Sequence, residues 1–231
     1  MPNIAIIPAR GGSKRIPRKN IRLFCGFPII KYSIEAALAS DCFDEVMVST
    51  DDEEIAAIAR KYGAKVPFMR SIKTADDFAS TDDVLKEVIG EYAKIGKEFD
   101  YVCCVYPTTP LLTSDKIKAS LEKIKQTKAA LLFAVVKYSY PVQRALRIRD
   151  DGTLAMISPD HLHSRSQDLE PIYHDAGQFY WYKYSHLVSA KPILEEGALP
   201  FEVDPMEVQD IDTEDDWEIA EIKFAFLKRH R

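Results

Sequence analysis

The sequence has few of the features that mark secreted, membrane or redox proteins. Its 231 residues include only four cysteines, Cys25, Cys42, Cys103 and Cys104, and no C-x-x-C spacing, which favours buried reduced thiols over disulfides or zinc ligands. The longest apolar run, 129–136, is far shorter than the roughly 18 residues of a membrane-spanning helix. The first residues lack a basic region followed by an apolar one, so we expect a cytoplasmic protein that binds no membrane.

Positive charge is outnumbered by negative charge overall but is concentrated at one place. Lys and Arg number 31 against 36 Asp and Glu, a net charge of −5, which makes nucleic acid an unfavourable partner. Within positions 10–19, however, no acidic residue interrupts a group of five basic ones: Arg10, Lys14, Arg15, Arg18 and Lys19. This local concentration indicates a site for a compact anion, and a solvated basic turn is the alternative.

Apolar strand patterns alternate with helical patterns through the first 136 residues. We interpret four segments as buried strands: 3–8, 45–49, 101–105 and 130–136. Strands that are apolar on both faces predict an α/β fold with a Rossmann-like, mostly parallel sheet and helices on both faces, in a single domain spanning 1–231. Ligands of such sheets bind at the carboxyl ends of the strands.

The alternation stops near residue 138. The stretch 138–190 is rich in turns, aromatic residues and short alternating segments such as 178–182, which predicts a β-rich appendage. Exposed aromatic residues on such a segment often form a subunit interface, so we expect a homodimer. The chain then returns with a strand at 200–203 and a helix from about Thr213.

The loop after the first strand is the most informative stretch. Gly11 and Gly12 allow backbone amides to approach a ligand closely, and the basic residues around them can neutralise phosphate charge. The loop matches neither the Walker A pattern nor the dinucleotide fingerprint. The sequence therefore supports neither a P-loop ATPase nor an NAD enzyme.

At this loop the sequence resembles a known family. Ile-Pro-Ala-Arg-Gly-Gly-Ser-Lys at 7–14, continued by Pro17, Lys19 and Asn20, resembles the signature of the cytidylyltransferases that make CMP-sialic acids. Further motifs follow in the family's order, at 48–51, 70, 107–111, 177 and 210–213. Three stretches are most similar to the pseudaminic acid branch: 101–107, 141–146 and 165–181.

The resemblance implies a fold of the nucleotide-diphospho-sugar transferase type and a defined reaction. The anomeric hydroxyl of an acidic nine-carbon sugar would attack the α-phosphate of CTP and expel pyrophosphate. Lys19 matches the lysine nearest the α-phosphate, and we expect Arg10 and Asp212 to join it as catalytic residues. The implied nucleotide-binding set is Arg10, Gly11, Gly12, Ser13, Lys14, Lys19, Asn20, Arg70 and Thr81, of which the last two match positions that contact cytosine and nearby atoms.

Asp210 and Asp212 lie two residues apart in an extended stretch, so both carboxylates can point the same way. Such a pair suits Mg²⁺, or another divalent cation such as Mn²⁺, because Mg²⁺ usually takes only one or two protein carboxylates. Helix capping is the alternative, since Thr213 and Asp216 stand where a capping box would. The resemblance assigns the two aspartates to a metal site and leaves Thr213 to capping. The group that removes the hydroxyl proton stays open.

The resemblance places part of the acceptor site in the β-rich appendage and across the dimer. Arginine suits the carboxylate of the sugar, and amides suit its acetamido groups. The implied acceptor set is Tyr106, Arg165, Gln167, Tyr173 and Gln178. Tyr106 replaces the glutamine of the sialic acid members, and Asp-Ala-Gly at 175–177 replaces their Asn-Gly. Both departures favour a deoxy, more apolar sugar such as pseudaminic acid over Neu5Ac.

Two other functions remain open at this point. One is the same reaction on legionaminic acid, Neu5Ac or Kdo, and the other is a nucleotide-binding protein without turnover. His161 and His163 alternate as a metal pair would, but no third ligand lies nearby in the sequence, so we expect them in a surface loop.

Overall fold

A computed structural model describes residues 2–76, 79–189 and 197–230. Its strands are β1 (Asn3–Pro8), β2 (Leu23–Phe24), β3 (Phe27–Pro28), β4 (Glu45–Ser49), β5 (Tyr101–Val105), β6 (Leu131–Lys137), β7 (Leu146–Ile148), β8 (Leu154–Met156), β9 (Tyr173–Lys183) and β10 (Leu199–Glu202). Its helices are α1 (Ile30–Ala39), α2 (Glu53–Lys61), α3 (Ile72–Ala75), α4 (Thr81–Lys94), α5 (Ser114–Lys125), α6 (Tyr184–Leu187) and α7 (Glu214–His230). Within these ranges, no helix is both long enough and apolar enough to cross a membrane.

One six-stranded sheet organises the chain, with strand order β10-β6-β9-β5-β1-β4. β1 runs parallel to β4 and to β5, and β10 runs parallel to β6. β9 lies between β5 and β6 and is antiparallel to both, so the remaining five strands of the sheet all run in one direction. The prediction of a mostly parallel α/β sheet is confirmed.

The sheet buries both of its faces, as the apolar strand patterns require. Along β1, Ala5 and Ile7 pack into a cluster with residues of α1, α2 and α5. Ile4 and Ile6 point the other way, into a cluster with residues of α4. Because successive side chains of a strand face opposite sides, one continuous apolar strand serves both clusters and places helices on both faces.

The predicted β-rich stretch divides into two parts in the structure. Its first part, up to 172, contains the β7–β8 hairpin and short 3-10 turns outside the main sheet. Its second part includes β9, a central strand whose Trp181 is fully buried and donates to Ser120 Oγ at 2.8 Å. Of the stretch 138–190, the part up to 172 thus lies outside the main sheet and β9 belongs to it, while residue 190 lies outside the described residues. The central position of β9 cannot be predicted from the order of the segments along the chain, because β9 inserts between β5 and β6, which both precede it in sequence.

Candidate active site

The loops after β1 and β5 and the start of α4 surround one cavity of about 630 Å³. The segment at 210–212 closes another side. All of these elements meet at the carboxyl ends of the parallel strands, which is where a fold of this class is expected to bind its ligand. The cavity brings together ten residues that the sequence singled out: Arg10, Ser13, Lys14, Lys19, Asn20, Arg70, Thr81, Tyr106, Asp210 and Asp212.

The loop after β1 is held in shape by its own polar groups. Asn20 Nδ2 donates to the carbonyl of Arg10 at 2.9 Å, and Ser13 Oγ donates to the carbonyl of Ile16 at 2.7 Å. Gly11 N donates to Asp51 Oδ1 at 2.9 Å, which ties the loop to the end of β4. Two of the predicted ligand-binding side chains, Asn20 and Ser13, thus also support the loop.

Gly11 is required by the close approach of α2. A Cβ atom at this position would lie 2.7 Å from Asp52 Oδ2, closer than any ordinary contact. Asp52 cannot easily move, because its Oδ1 accepts from Ile55 N at 3.0 Å and so caps α2. At Gly12, by contrast, a Cβ atom would meet nothing within 4 Å.

The five basic residues of the loop do not all face the cavity. Arg18 has a left-handed backbone, with φ of 56°, and turns away to bind Asp52 and, at 2.5 Å, Glu54. The hydrogen bond from Arg18 lowers the pKa of Asp52 to about 2. Arg18 therefore anchors the loop to α2. Arg10 Nη1 donates to the carbonyl of Asp76 at 2.8 Å, and both residues line the cavity.

Lys19 and the two aspartates form the charged centre of the cavity. Lys19 Nζ lies 2.5 Å from the carbonyl oxygen of Ile211 and 3.4 Å from Asp212 Oδ1. The pKa of Asp210 is raised by burial and by the negative charge of Asp212. Two hard carboxylates that repel each other beside an open cavity are a donor set that fits a divalent cation with phosphate oxygens completing its shell. Within the described ranges, no group of three or more His, Cys, Asp or Glu side chains is placed to hold a metal.

Helix capping is carried out by neighbours of the aspartate pair. Thr213 N donates to Asp216 Oδ2 at 2.9 Å, and Asp216 N donates back to Thr213 Oγ1 at 3.3 Å. This reciprocal pair begins α7 in the manner of a capping box. The carboxylates of Asp210 and Asp212 are therefore not needed as caps, and both line the cavity.

Arg70 and Thr81 line another part of the cavity. Arg70 is buried, and its guanidinium donates to Ser49 Oγ at 3.1 Å and to the Ser49 carbonyl at 2.6 Å. Burial lowers the pKa of Arg70. Thr81 Oγ1 lies 3.3 Å from the hydroxyl of Tyr106, at the end of β5. Within the 48–51 motif, Ser49 thus holds Arg70 and Asp51 holds the loop after β1. The sequence did not reveal these two roles.

A polar group next to Tyr106 was missed by the sequence analysis. The ring of Tyr180 lies 5.2 Å from that of Tyr106, and its hydroxyl donates to both carboxylate oxygens of Asp175 at 2.8 Å. Gly177 N also donates to Asp175 Oδ1 at 2.8 Å. The only signal in the sequence was Asp-Ala-Gly at 175–177, and its connection with Tyr180 requires the backbone path of β9.

Four of the predicted acceptor residues do not line the cavity of their own chain. Arg165 pairs with Asp168 at 2.7 Å and its side chain is 73% exposed. Gln167 lies in the same exposed turn, and Tyr173 donates to Glu202 at 3.3 Å. Gln178 is buried and donates to the carbonyl of Glu207 at 2.8 Å. Only Tyr106 of the acceptor set reaches the cavity from within the chain.

His161 and His163 lie in the same segment as Arg165, and no metal group forms around them among the described residues.

Comparisons with known proteins show which sequences and folds the chain is similar to. A family model described as cytidylyltransferase matches residues 4–220. The chain is 46% identical over 224 residues to a pseudaminic acid cytidylyltransferase of Campylobacter jejuni, covering 97% of each chain. It is 34% identical over 225 residues to the CMP-N,N'-diacetyllegionaminic acid synthase of Legionella pneumophila, covering 94% of each.

Solved structures with low sequence identity share the fold. A CMP:2-keto-3-deoxy-manno-octonic acid synthetase complexed with CTP has a TM-score of 0.69 at 21% identity and is covered over its full length, as is this chain. The 4-diphosphocytidyl-2C-methyl-D-erythritol synthase of Anaerococcus prevotii has a TM-score of 0.63 at 13% identity, with 98% of each chain covered. These similarities concern the arrangement of the sheet and its helices.

Proposed function

The chain belongs to the cytidylyltransferase family, and from that premise we propose that it transfers CMP from CTP to pseudaminic acid, with release of pyrophosphate. The observation that carries the proposal is the convergence of Arg10, Lys14 and Lys19 with Asp210 and Asp212 in one cavity. The choice of sugar is supported by the similarity to pseudaminic acid cytidylyltransferases over nearly the whole chain.

The cavity residues suit a displacement at phosphorus. Negative charge is spread over the oxygens of the transferred group as the sugar hydroxyl attacks and pyrophosphate leaves, so positioning and charge neutralisation provide most of the catalysis. Lys19, held against the Ile211 carbonyl, would face the α-phosphate, while Arg10 and Lys14 would bind the rest of the triphosphate. A divalent cation held by Asp210 and Asp212 would act as a Lewis acid on the phosphate oxygens.

The part of the cavity lined by Arg70 and Thr81 would bind the base. Arg70 is fixed by its bonds to Ser49, which leaves a planar guanidinium edge to donate to the carbonyl of cytosine. Thr81 offers a hydroxyl beside it. Tyr106, whose ring lies 5.2 Å from that of Tyr180 and is tilted against it by 46°, would pack against the acceptor sugar.

We further propose that two copies of the chain form a dimer through the segment 138–172. This segment exposes large apolar side chains, including Tyr140 at 83% and Ile148 at 75% exposure, which favours burial against a second surface. Dimerisation would bring Arg165, Gln167 and Tyr173 of one copy to the cavity of the other.

The four cysteines are free thiols, and together with the use of CTP this supports a cytoplasmic enzyme.

The test of the proposed function is pyrophosphate release from CTP and Mg²⁺ with four acceptors offered separately: pseudaminic acid, legionaminic acid, Neu5Ac and Kdo. We expect rapid release with pseudaminic acid and much slower release with the other three. Release with another of these sugars alone would keep the chemistry and overturn the choice of sugar. CTP binding by folded protein without release with any sugar would favour a nucleotide-binding protein without turnover.

A further inference from the structure

Arg15 occupies one oxygen of the aspartate pair. Its Nη2 atom lies 2.7 Å from Asp212 Oδ1, the same oxygen that lies 3.4 Å from Lys19 Nζ. Arg15 lines the cavity, and its side chain is 68% exposed, whereas that of Lys19 is 19% exposed. The two cations at Asp212 thus differ in how they are held: Lys19 is enclosed and also bonded to the Ile211 carbonyl, while the side chain of Arg15 is mostly exposed.

A divalent cation on Asp212 would compete with Arg15 for this oxygen. Arg15 and Lys19 already share this oxygen, and a third positive group within contact distance of it would add a repulsion that is large in a partly enclosed site. Lys19 has a second bond that keeps it in place, so Arg15 is the group that must leave. When it leaves Asp212, the long and flexible side chain of Arg15 has a second partner in the triphosphate that we propose for this cavity, because a guanidinium group binds phosphate in bidentate geometry.

We propose that Arg15 couples metal binding to nucleotide binding by moving between two anions, Asp212 and the triphosphate. It pairs with Asp212 before CTP binds, and it transfers to the triphosphate when the divalent cation takes its place on Asp212. Arg15 is therefore a positioning residue that makes a metal ion bind weakly alone and tightly with CTP. This inference rests on the proposed nucleotide and metal sites. Since such coupling is reciprocal, the metal must strengthen CTP binding by the same factor.

The chain provides a matched control for the loss of one arginine ion pair. Arg22 Nη1 lies 2.6 Å from Glu214 Oε1, a pair of similar length near the same end of α7 but outside the residues that line the cavity. Replacing either arginine by glutamine removes one positive charge. Only the replacement of Arg15 removes a group that contacts Asp212.

The experiment measures binding to the full-length wild type and to the variants Arg15→Gln and Arg22→Gln. Mn²⁺ binding without nucleotide is followed by electron paramagnetic resonance, and CTP binding is measured by calorimetry with EDTA and with saturating Mn²⁺. We expect Arg15→Gln to bind Mn²⁺ alone about fivefold more tightly and to show a coupling between Mn²⁺ and CTP that is smaller by about the same factor. Arg22→Gln should match the wild type in both measurements.

The decisive measurement is the factor by which Mn²⁺ strengthens CTP binding. Loss of a distant charge would change the affinity for Mn²⁺ and the affinity for CTP separately, without changing how one ligand affects binding of the other. Arg15→Lys, which keeps the charge but not the planar guanidinium, should lie between the wild type and Arg15→Gln. Unchanged coupling in Arg15→Gln would overturn the inference, and pyrophosphate release by the wild type would then still support the proposed function. Absence of Mn²⁺ binding to every protein, with or without CTP, would overturn the inference and the metal site together.

Discussion

The loop at 10–20 and the segment at 138–172 both carry residues implied for the site, but they are built in opposite ways. The loop is bonded to distant parts of the chain: Gly11 to Asp51, Arg18 to Asp52, and Lys19 to Ile211. The segment at 138–172 is bonded largely to itself, as in the contacts of Gln143 with Glu170 and of Arg165 with Asp168. The loop is thus completed by one chain, while the segment presents apolar surface to its surroundings.

This difference indicates what each region needs in order to work. Contacts between residues far apart in sequence fix the loop only when the whole sheet has formed, so the side of the cavity that we propose to bind the nucleotide is a product of the folded monomer. The segment at 138–172 has few such contacts, and its charged residues stand outside the cavity. We therefore expect variants in the loop to act within one chain and variants in the segment to act between chains.

The largest effect should come from Lys19, the enclosed cation of the loop. Lys19→Ala should lower the turnover number about 100- to 1,000-fold, because it removes a fixed charge from the reacting phosphate, while CTP affinity changes less. Pyrophosphate release and calorimetric CTP binding measure the two quantities. Lys123→Ala removes an exposed lysine that donates to the Pro200 carbonyl, and it should leave both unchanged. A parallel loss of CTP binding in Lys19→Ala would contradict a role at the transition state.

The second effect tests the segment at 138–172 as an interface. Ile148→Asp places a charge on its apolar surface and should weaken the dimer by roughly 30-fold or more in dissociation constant. Analytical ultracentrifugation measures the dimer, and activity should fall with it. Ile95→Asp, at another exposed isoleucine outside this segment, is the matched control and should change neither. A wild type that is monomeric at all concentrations would exclude the interface.

Mixing two inactive variants sharpens the same comparison. Lys19→Ala damages the loop, and Arg165→Ala damages the segment that we propose to act on the other copy. Heterodimers formed from equal amounts should contain one intact site each and recover about a quarter of wild-type activity. No recovery from well-exchanged dimers would show that the two residues serve the same chain.

The third effect separates the two glycines of the loop. Gly11→Ala should destabilise the protein by about 1–3 kcal/mol, because the new methyl group collides with the cap of α2. Gly12→Ala meets open space and should stay within about 0.5 kcal/mol of the wild type. Urea unfolding measures both. Equal losses of stability would mean that the approach of Asp52 does not constrain the loop.

The smallest effect is the pH dependence of the anchor between Arg18 and Asp52. The pKa of Asp52 in the folded chain, about 2, lies below its ordinary value of 3.8. The pair therefore stabilises the fold above the ordinary pKa, and this stabilisation is lost as the pH falls toward 2. Asp52→Asn, which can still cap α2, should remove that part of the acid dependence and cost at most about 2 kcal/mol at neutral pH.

Urea unfolding at several pH values between 2 and 7 checks this prediction. Asp150→Asn removes a carboxylate from the exposed turn of the β7–β8 hairpin and serves as the comparison. If Asp52→Asn and the wild type lose stability in parallel as the pH falls, the ion pair does not contribute to acid stability.

Much of the fold could be predicted because its signals are local. The strands at 45–49 and 101–105 have the predicted limits, since apolar runs between turn residues determine where a buried strand begins and ends. The helix α2 begins after Asp52 and ends before Gly63 for the same kind of reason. The position of β9 could not be predicted in this way, because strand order depends on which edges pair after the chain has folded.

The site shows the same division. Resemblance of motifs was enough to select ten residues that meet in one cavity, since each motif ends a strand or begins a helix at the same edge of the sheet. It did not reveal that Arg18 turns away to α2, that Arg15 contacts Asp212, or that Tyr180 binds Asp175. These contacts join residues that are up to 197 positions apart, as for Arg15 and Asp212.

The sequence by itself determined the elements of the fold, the charge of the loop and the family to which the chain belongs, because each of these depends on neighbouring residues or on a short ordered motif. The tertiary structure alone decided which cations and carboxylates line the cavity, and which of the residues predicted for the acceptor lie outside it. Those outcomes depend on distances between segments, and such distances exist only once burial of the sheet's two apolar faces has brought the segments together.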